Sequence, residues 1–131
     1  MPDVIAGVRI KHKSRYSDNS SGGDREDMVL ENDVAFGALI KSLREMDDPR
    51  WPGHKMIENT LVIFTSDNGG FAKATSNSPL RANKGSNYEG GIRVPVLMHW
   101  PGHIAPGSVC SEPIISNDFY PTILDASGIE P

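Results

Sequence analysis

The sequence predicts an α/β fold that forms only part of a larger layered domain. Three observations predict it: a helical apolar pattern over residues 27–46, a strand over 60–66 with a continuous apolar middle, and a second strand over 94–100. Two or three strands do not complete a parallel sheet, so the expected architecture is a mostly parallel sheet flanked by helices, with the N-terminal half of the domain absent.

Each element has a local reason. In the first helix Val29, Phe36, Leu39, Ile40, Leu43 and Met46 recur at helical spacing, while Asp33, Lys41, Arg44 and Glu45 face elsewhere. Asp27 is placed to cap its start, and Asp47-Asp48-Pro49 to stop it. Residues 48–59 form a connection with Pro and Gly. The strand 60–66 is β-branched and aromatic with a continuous apolar middle, which suits burial on both faces. A Gly-, Ser- and Asn-rich segment over 67–93 separates it from the next strand, and loops of that length are commonly functional. Asn117 or Asp118 can cap a last short helix that Gly128 ends. Residues 1–27 are polar and read as loop or disorder, leaving 28–131 as the structured portion.

Composition narrows the function. At 131 residues the chain is long enough for a real core, and no apolar run approaches the ~20 residues of a membrane helix. A net charge of −4 argues against a partner that binds through its phosphates, so no nucleic acid is expected, and no membrane. Cys110 is the single cysteine, which excludes an internal disulfide and a cysteine-rich zinc site; it reads as inert. The first residues lack the charged and apolar regions of a secretory signal.

Three residues could carry chemistry. Asp67 and Asn68 follow the C-terminal end of the first strand, the edge where ligands bind in open α/β sheets. A carboxylate beside an amide oxygen suits a hard cation such as calcium or magnesium, although Asp-Asn-Gly-Gly is equally good turn chemistry. Lys84, in a Gly- and Asn-rich loop, can neutralise a tetrahedral oxyanion or be simply solvated. Glu89 and Arg93, four residues apart, are placed to hold that loop in shape. His99 and His103 are four apart, but Pro101 between them breaks the helical context of an H-x-x-x-H pair, and His12, His54, His99 and His103 read as structural or surface residues.

These motifs together resemble a known family. The strand 60–66 with Asp67-Asn68-Gly69 resembles the metal strand of the sulfatases, within the alkaline phosphatase-like superfamily. The stretch from Lys84 through Glu89-Gly90-Gly91 to Arg93-Val94-Pro95 resembles the second sulfatase motif. Trp100-Pro101-Gly102 and the segment 118–124 follow in family order. The resemblance implies that Asp67 and Asn68 are two ligands of a calcium ion, that Lys84 contacts a sulfate oxygen, and that the partner is a sulfate ester of a sugar or aryl alcohol. It also implies a periplasmic, extracellular or lysosomal setting.

The departures are specific. The family nucleophile is a formylglycine made within C/S-x-P-x-R, and that motif occurs nowhere in the chain. The N-terminal ligands that complete the calcium site are missing too, so the missing half of the domain is itself an expected partner. Ala82 and Asn83 stand where the family often has glycine. The expectation is a sulfuric ester hydrolase fragment, inactive alone. The alternatives are a phosphatase or phosphodiesterase of the same superfamily and a non-catalytic binding module.

Overall fold

A computed structural model describes residues 24–72 and 76–130. In order they form helix α1 (Asp24–Glu45), a 3-10 turn (Met56–Asn59), strand β1 (Val62–Thr65), helix α2 (Glu89–Ile92), strand β2 (Val96–His99), a 3-10 turn (Ser116–Asp118) and helix α3 (Phe119–Ala126). The expected N-terminal loop lies outside the described residues up to residue 23, and residues 24–27 are already helical.

The α/β order is as expected, and the strands are shorter than the expected spans 60–66 and 94–100. β1 and β2 pair antiparallel, Val62 opposite His99 and Thr65 opposite Val96, in a two-stranded sheet. The expected parallel pairing is therefore not found among the described residues. A parallel neighbour requires a crossover of a dozen or more residues, usually helical. Among the described residues the only helix between β1 and β2 is the four-residue α2, and the loop returns the chain antiparallel.

The expectation of a substantial core is also corrected. Among the described residues, Ile57 is the only buried large apolar side chain, and Phe64 in β1 remains 40% exposed. β1 is thus not covered on both faces. α1 lies over one face of the sheet, where the Phe36 and Phe64 rings meet at 5.1 Å with a tilt of 52°. Beside that contact an open apolar groove of about 460 Å³ is lined by Val29, Phe36, Ile40, Val62, Phe64 and Leu97. Val29, Leu39 and Met46, expected to face a core, are therefore exposed.

Two local devices compensate for the thin core. The Asp48 carboxylate is buried and accepts hydrogen bonds from the Arg50 N–H (2.8 Å), Arg50 Nε (3.3 Å) and Asn59 Nδ2 (3.1 Å). It thereby fastens the connection that the sequence marked only as a helix stop. At the other end, the Gly128 N–H donates to Asp125 O and the Ile129 N–H to Leu124 O. That pair of bonds is a Schellman ending, with Gly128 at φ +71° as the left-handed position requires.

Candidate functional site

β1 ends at Thr65, and Asp67 and Asn68 occupy the turn immediately after it. Ser66 Oγ lies 3.4 Å from Asp67 Oδ1 and 3.1 Å from Asn68 O, so one hydroxyl braces the turn from inside. Asp67 is exposed and Asn68 half-buried. Among the described residues only this hydroxyl meets the Asp67 carboxylate and none meets the Asn68 side chain, so both have oxygens free for a ligand. That donor set fits a hard cation, for which carboxylate and amide oxygens are the ordinary ligands. Among the described residues no group of three or more His, Cys, Asp or Glu converges on one point. Two ligands are what these residues offer.

The turn is joined to the Lys84 loop through main chain. The Gly69 N–H donates to Gly91 O at 2.9 Å, and the Lys84 N–H donates to Gly70 O at 3.0 Å. Lys84 is therefore seated by its backbone against Gly70, two residues beyond Asn68. Its ammonium is exposed and makes no ion pair among the described residues. The fourteen positions from Gly70 to Lys84 are closed by one hydrogen bond.

Glycines make this closure possible. A Cβ on Gly69 would stand 1.9 Å from Gly90 O, one on Gly90 would stand 2.0 Å from Ala82 O, and one on Gly91 would stand 2.2 Å from Ser86 O. In each case the obstructing atom is backbone. Three strands of main chain pass within contact of one another here, and all three glycines are buried. Ala82 carries φ +63°, a left-handed conformation that costs an L-residue about 1–2 kcal/mol. This is one of the two positions where the resembled family often has glycine, and the backbone shows why.

The outer side of the loop is braced by side chains. Arg93 Nη1 donates to Glu89 Oε2 at 3.2 Å, as the spacing predicted. The Arg81 guanidinium lies 3.7 Å over the Tyr88 ring, a contact the sequence did not announce. The other missed residue is Asn77. Its amide reaches Gly70, Asn83 and Gly90 from the middle of a segment that reads only as polar loop.

The remaining candidates are structural. His54 Nδ1 lies 2.9 Å from Glu58 Oε2 and its ring stacks on Trp51 at 3.5 Å. The His54 hydrogen bond, then the Lys55 N–H, hold the Glu58 carboxyl below the ordinary carboxylate range. His103 stacks on Trp100 at 3.9 Å, and His99 is paired within the sheet. Cys110 is exposed and free. His12 lies outside the described residues.

The described residues thus form a partial α/β unit in which an acidic turn at a strand end is joined to a lysine loop by main-chain hydrogen bonds and glycine contacts. The sulfatase family profile matches residues 12–129, and the chain belongs to the sulfatase family. It is 49% identical over 132 residues to a sulfatase of Formosa agariphila, covering 98% of this chain and 23% of that protein. It is 38% identical to human arylsulfatase A over 117 residues, covering 86% of this chain and 21% of that protein. A solved structure, Ps i-CgsB in complex with k-i-k-neocarrahexaose, superposes with a TM-score of 0.73 at 35% identity, covering 98% of this chain and 26% of that one. The chain thus spans about a quarter or less of the length of these relatives. The fold is a piece of the alkaline phosphatase-like sulfatase domain. No helix among the described residues is long and apolar enough to cross a membrane.

Proposed function

We propose that this chain supplies part of a sulfuric ester hydrolase site. Asp67 and Asn68 are two oxygen ligands of a calcium ion, and Lys84 contacts a sulfate oxygen. The observation that carries the reading is the Lys84 N–H to Gly70 O bond, which seats the lysine loop against the acidic turn. Bound calcium would supply positive charge against sulfate oxygens. The residues of this chain do the rest: the Ser66 hydroxyl braces the carboxylate turn, the glycine contacts fix the loop, and the Lys84 ammonium neutralises oxyanion charge.

The chain has no residue in the C/S-x-P-x-R context that yields a formylglycine. Attack on sulfur is assigned to a nucleophile outside these residues, and the chain alone turns over no ester. The substrate class is a sulfate ester. A sugar sulfate is favoured by the oligosaccharide named in the complex of the Ps i-CgsB neighbour. The setting proposed is periplasmic, extracellular or lysosomal.

Calcium titration of the purified chain by calorimetry tests the site. Two side-chain ligands where calcium takes 6–8 oxygens give weak binding, with Kd on the order of a millimolar. Asp67→Ala abolishes the heat, and Lys84→Ala leaves calcium binding in place while removing the response to inorganic sulfate. Calcium heat unchanged in Asp67→Ala, or hydrolysis of an aryl sulfate by the isolated chain, overturns the assignment.

A further inference from the structure

From the hydrogen bonds around the side chain of Asn77, we infer that this residue is a positioning residue that sets the register between the acidic turn and the Lys84 loop. It acts through main chain and touches neither proposed ligand. Its Oδ1 accepts the Gly70 N–H at 3.2 Å while its Nδ2 donates to Gly70 O at 3.0 Å. A side-chain amide thus pairs with both polar groups of Gly70, as a neighbouring strand would. The same Nδ2 lies 2.9 Å from Asn83 Oδ1, 3.0 Å from Gly90 O and 3.4 Å from Ala82 O.

The chemistry of that pocket demands an amide. Four oxygens face the Nδ2 and one N–H faces the Oδ1, so the orientation of the amide is determined. Two amide protons are shared among four acceptors, which makes each bond bifurcated and ties Gly70, Ala82, Asn83 and Gly90 to a single atom. Gly70 O is also the acceptor of the Lys84 N–H. Asn77 and Lys84 therefore converge on one carbonyl, and displacing the amide displaces the seat of the lysine. An aspartate has the same shape and the opposite character: ionised, it only accepts, and it would turn a negative oxygen toward four others. Protonated, it regains one donor.

The surroundings leave this signal uncluttered. The pocket at Asn77 is lined by Ala72, Ser76, Ser78, Pro79, Leu80, Ala82 and Asn83, none of which titrates. Among the described residues, the titratable side chains on the segments joined there are Asp67, Arg81, Lys84, Tyr88, Glu89 and Arg93, and none of them hydrogen-bonds to Asn77.

The test uses the full 131-residue chain, labelled for amide NMR, with wild type, Asn77→Asp and Asn77→Ala followed from pH 7 to pH 4. The Gly70, Lys84 and Gly90 amides move in both variants at pH 7. In Asn77→Asp they return toward the wild-type positions on acidification, as the new carboxyl protonates above the ordinary value of about 3.9. In Asn77→Ala they do not return. Wild-type amides at pH 7 in Asn77→Asp, or absence of any recovery on acidification, folded or unfolded, overturns the inference. A merely space-filling Asn77 would give the first result, because aspartate is isosteric.

The functional consequence rests on the sulfate reading of Lys84 and is measured separately with inorganic sulfate. Sulfate perturbs Lys84 in wild type and binds about tenfold more weakly to Asn77→Asp at pH 7, a difference of about 1.4 kcal/mol. No sulfate response in wild type, with the acid recovery intact, sinks the sulfate reading and leaves the positioning role standing. Equal sulfate affinity in both proteins sinks the positioning role.

Discussion

Gly69→Ala should separate the two halves of the site. The added methyl would lie 1.9 Å from Gly90 O and 2.8 Å from Gly90 C, where real contacts stay beyond 3.0 Å. The obstruction is backbone on both sides, so no rotamer relieves it, and the turn must part from the loop by about 1 Å. Overpacking of this kind costs about 1–3 kcal/mol. The Gly69 N–H to Gly91 O bond and the Lys84 N–H to Gly70 O bond stretch with it, each worth about 1 kcal/mol net. A loss of about 3 kcal/mol is expected, a large share of the 5–15 kcal/mol of an ordinary domain. Gly37→Ala is the same chemical change with the opposite sign. Nothing lies within 4 Å of a Cβ there, and an exposed helix interior gains about 0.5–1 kcal/mol from alanine. Urea unfolding followed by tryptophan fluorescence reads both, and calcium calorimetry reads the site. If Gly69→Ala unfolds at the wild-type urea concentration with its calcium heat intact, the close main-chain packing does not hold the site together.

Two further outcomes follow from the same geometry. Ala82→Gly removes the left-handed strain at φ +63° against a larger unfolded-state entropy, for a net gain of about 0.5–1 kcal/mol in urea unfolding. A destabilised Ala82→Gly would mean that the strain is not felt. The second concerns acid. Arg50's N–H, then Asn59 and the Arg50 side chain, lower the Asp48 carboxyl from 3.8, and His54 lowers Glu58 from 4.5. Folded values below unfolded ones mean that this stability is fully present above the unfolded values and is lost as pH falls through the folded ones. Asp48→Asn should therefore show a shallower loss of stability below about pH 4 than wild type, and equal slopes would refute it.

Much of the site was legible because its chemistry is local. A β-branched run followed by Asp67-Asn68-Gly69-Gly70 announces a strand end and an oxygen-rich turn, and the four-residue spacing of Glu89 and Arg93 announces their ion pair. Helix α1 was legible from its period, though not which of its apolar residues would find a partner. Val29 and Leu39 carry the same pattern as Phe36, and only the packing of α1 against β1 distinguishes them. The strand direction was not legible, because it depends on the path of residues 67–93 rather than on the strands. Asn77 was invisible for a related reason. An asparagine among serines and glycines has the composition of any loop, and its role arises from four oxygens contributed by residues five to thirteen positions away. Ala82 hid in the same way, since a positive φ leaves no trace in an alanine.

The glycine contacts have a dynamic corollary. Where side chains mediate between two segments, each segment can breathe while the other waits, because a rotamer change absorbs the difference. Between Gly69, Gly90 and Gly91 there is nothing to absorb it: carbonyl meets α-carbon directly. The acidic turn and the lysine loop are therefore expected to fluctuate as one cooperative body, so that an excursion that loosens Asp67 and Asn68 carries Lys84 away with them.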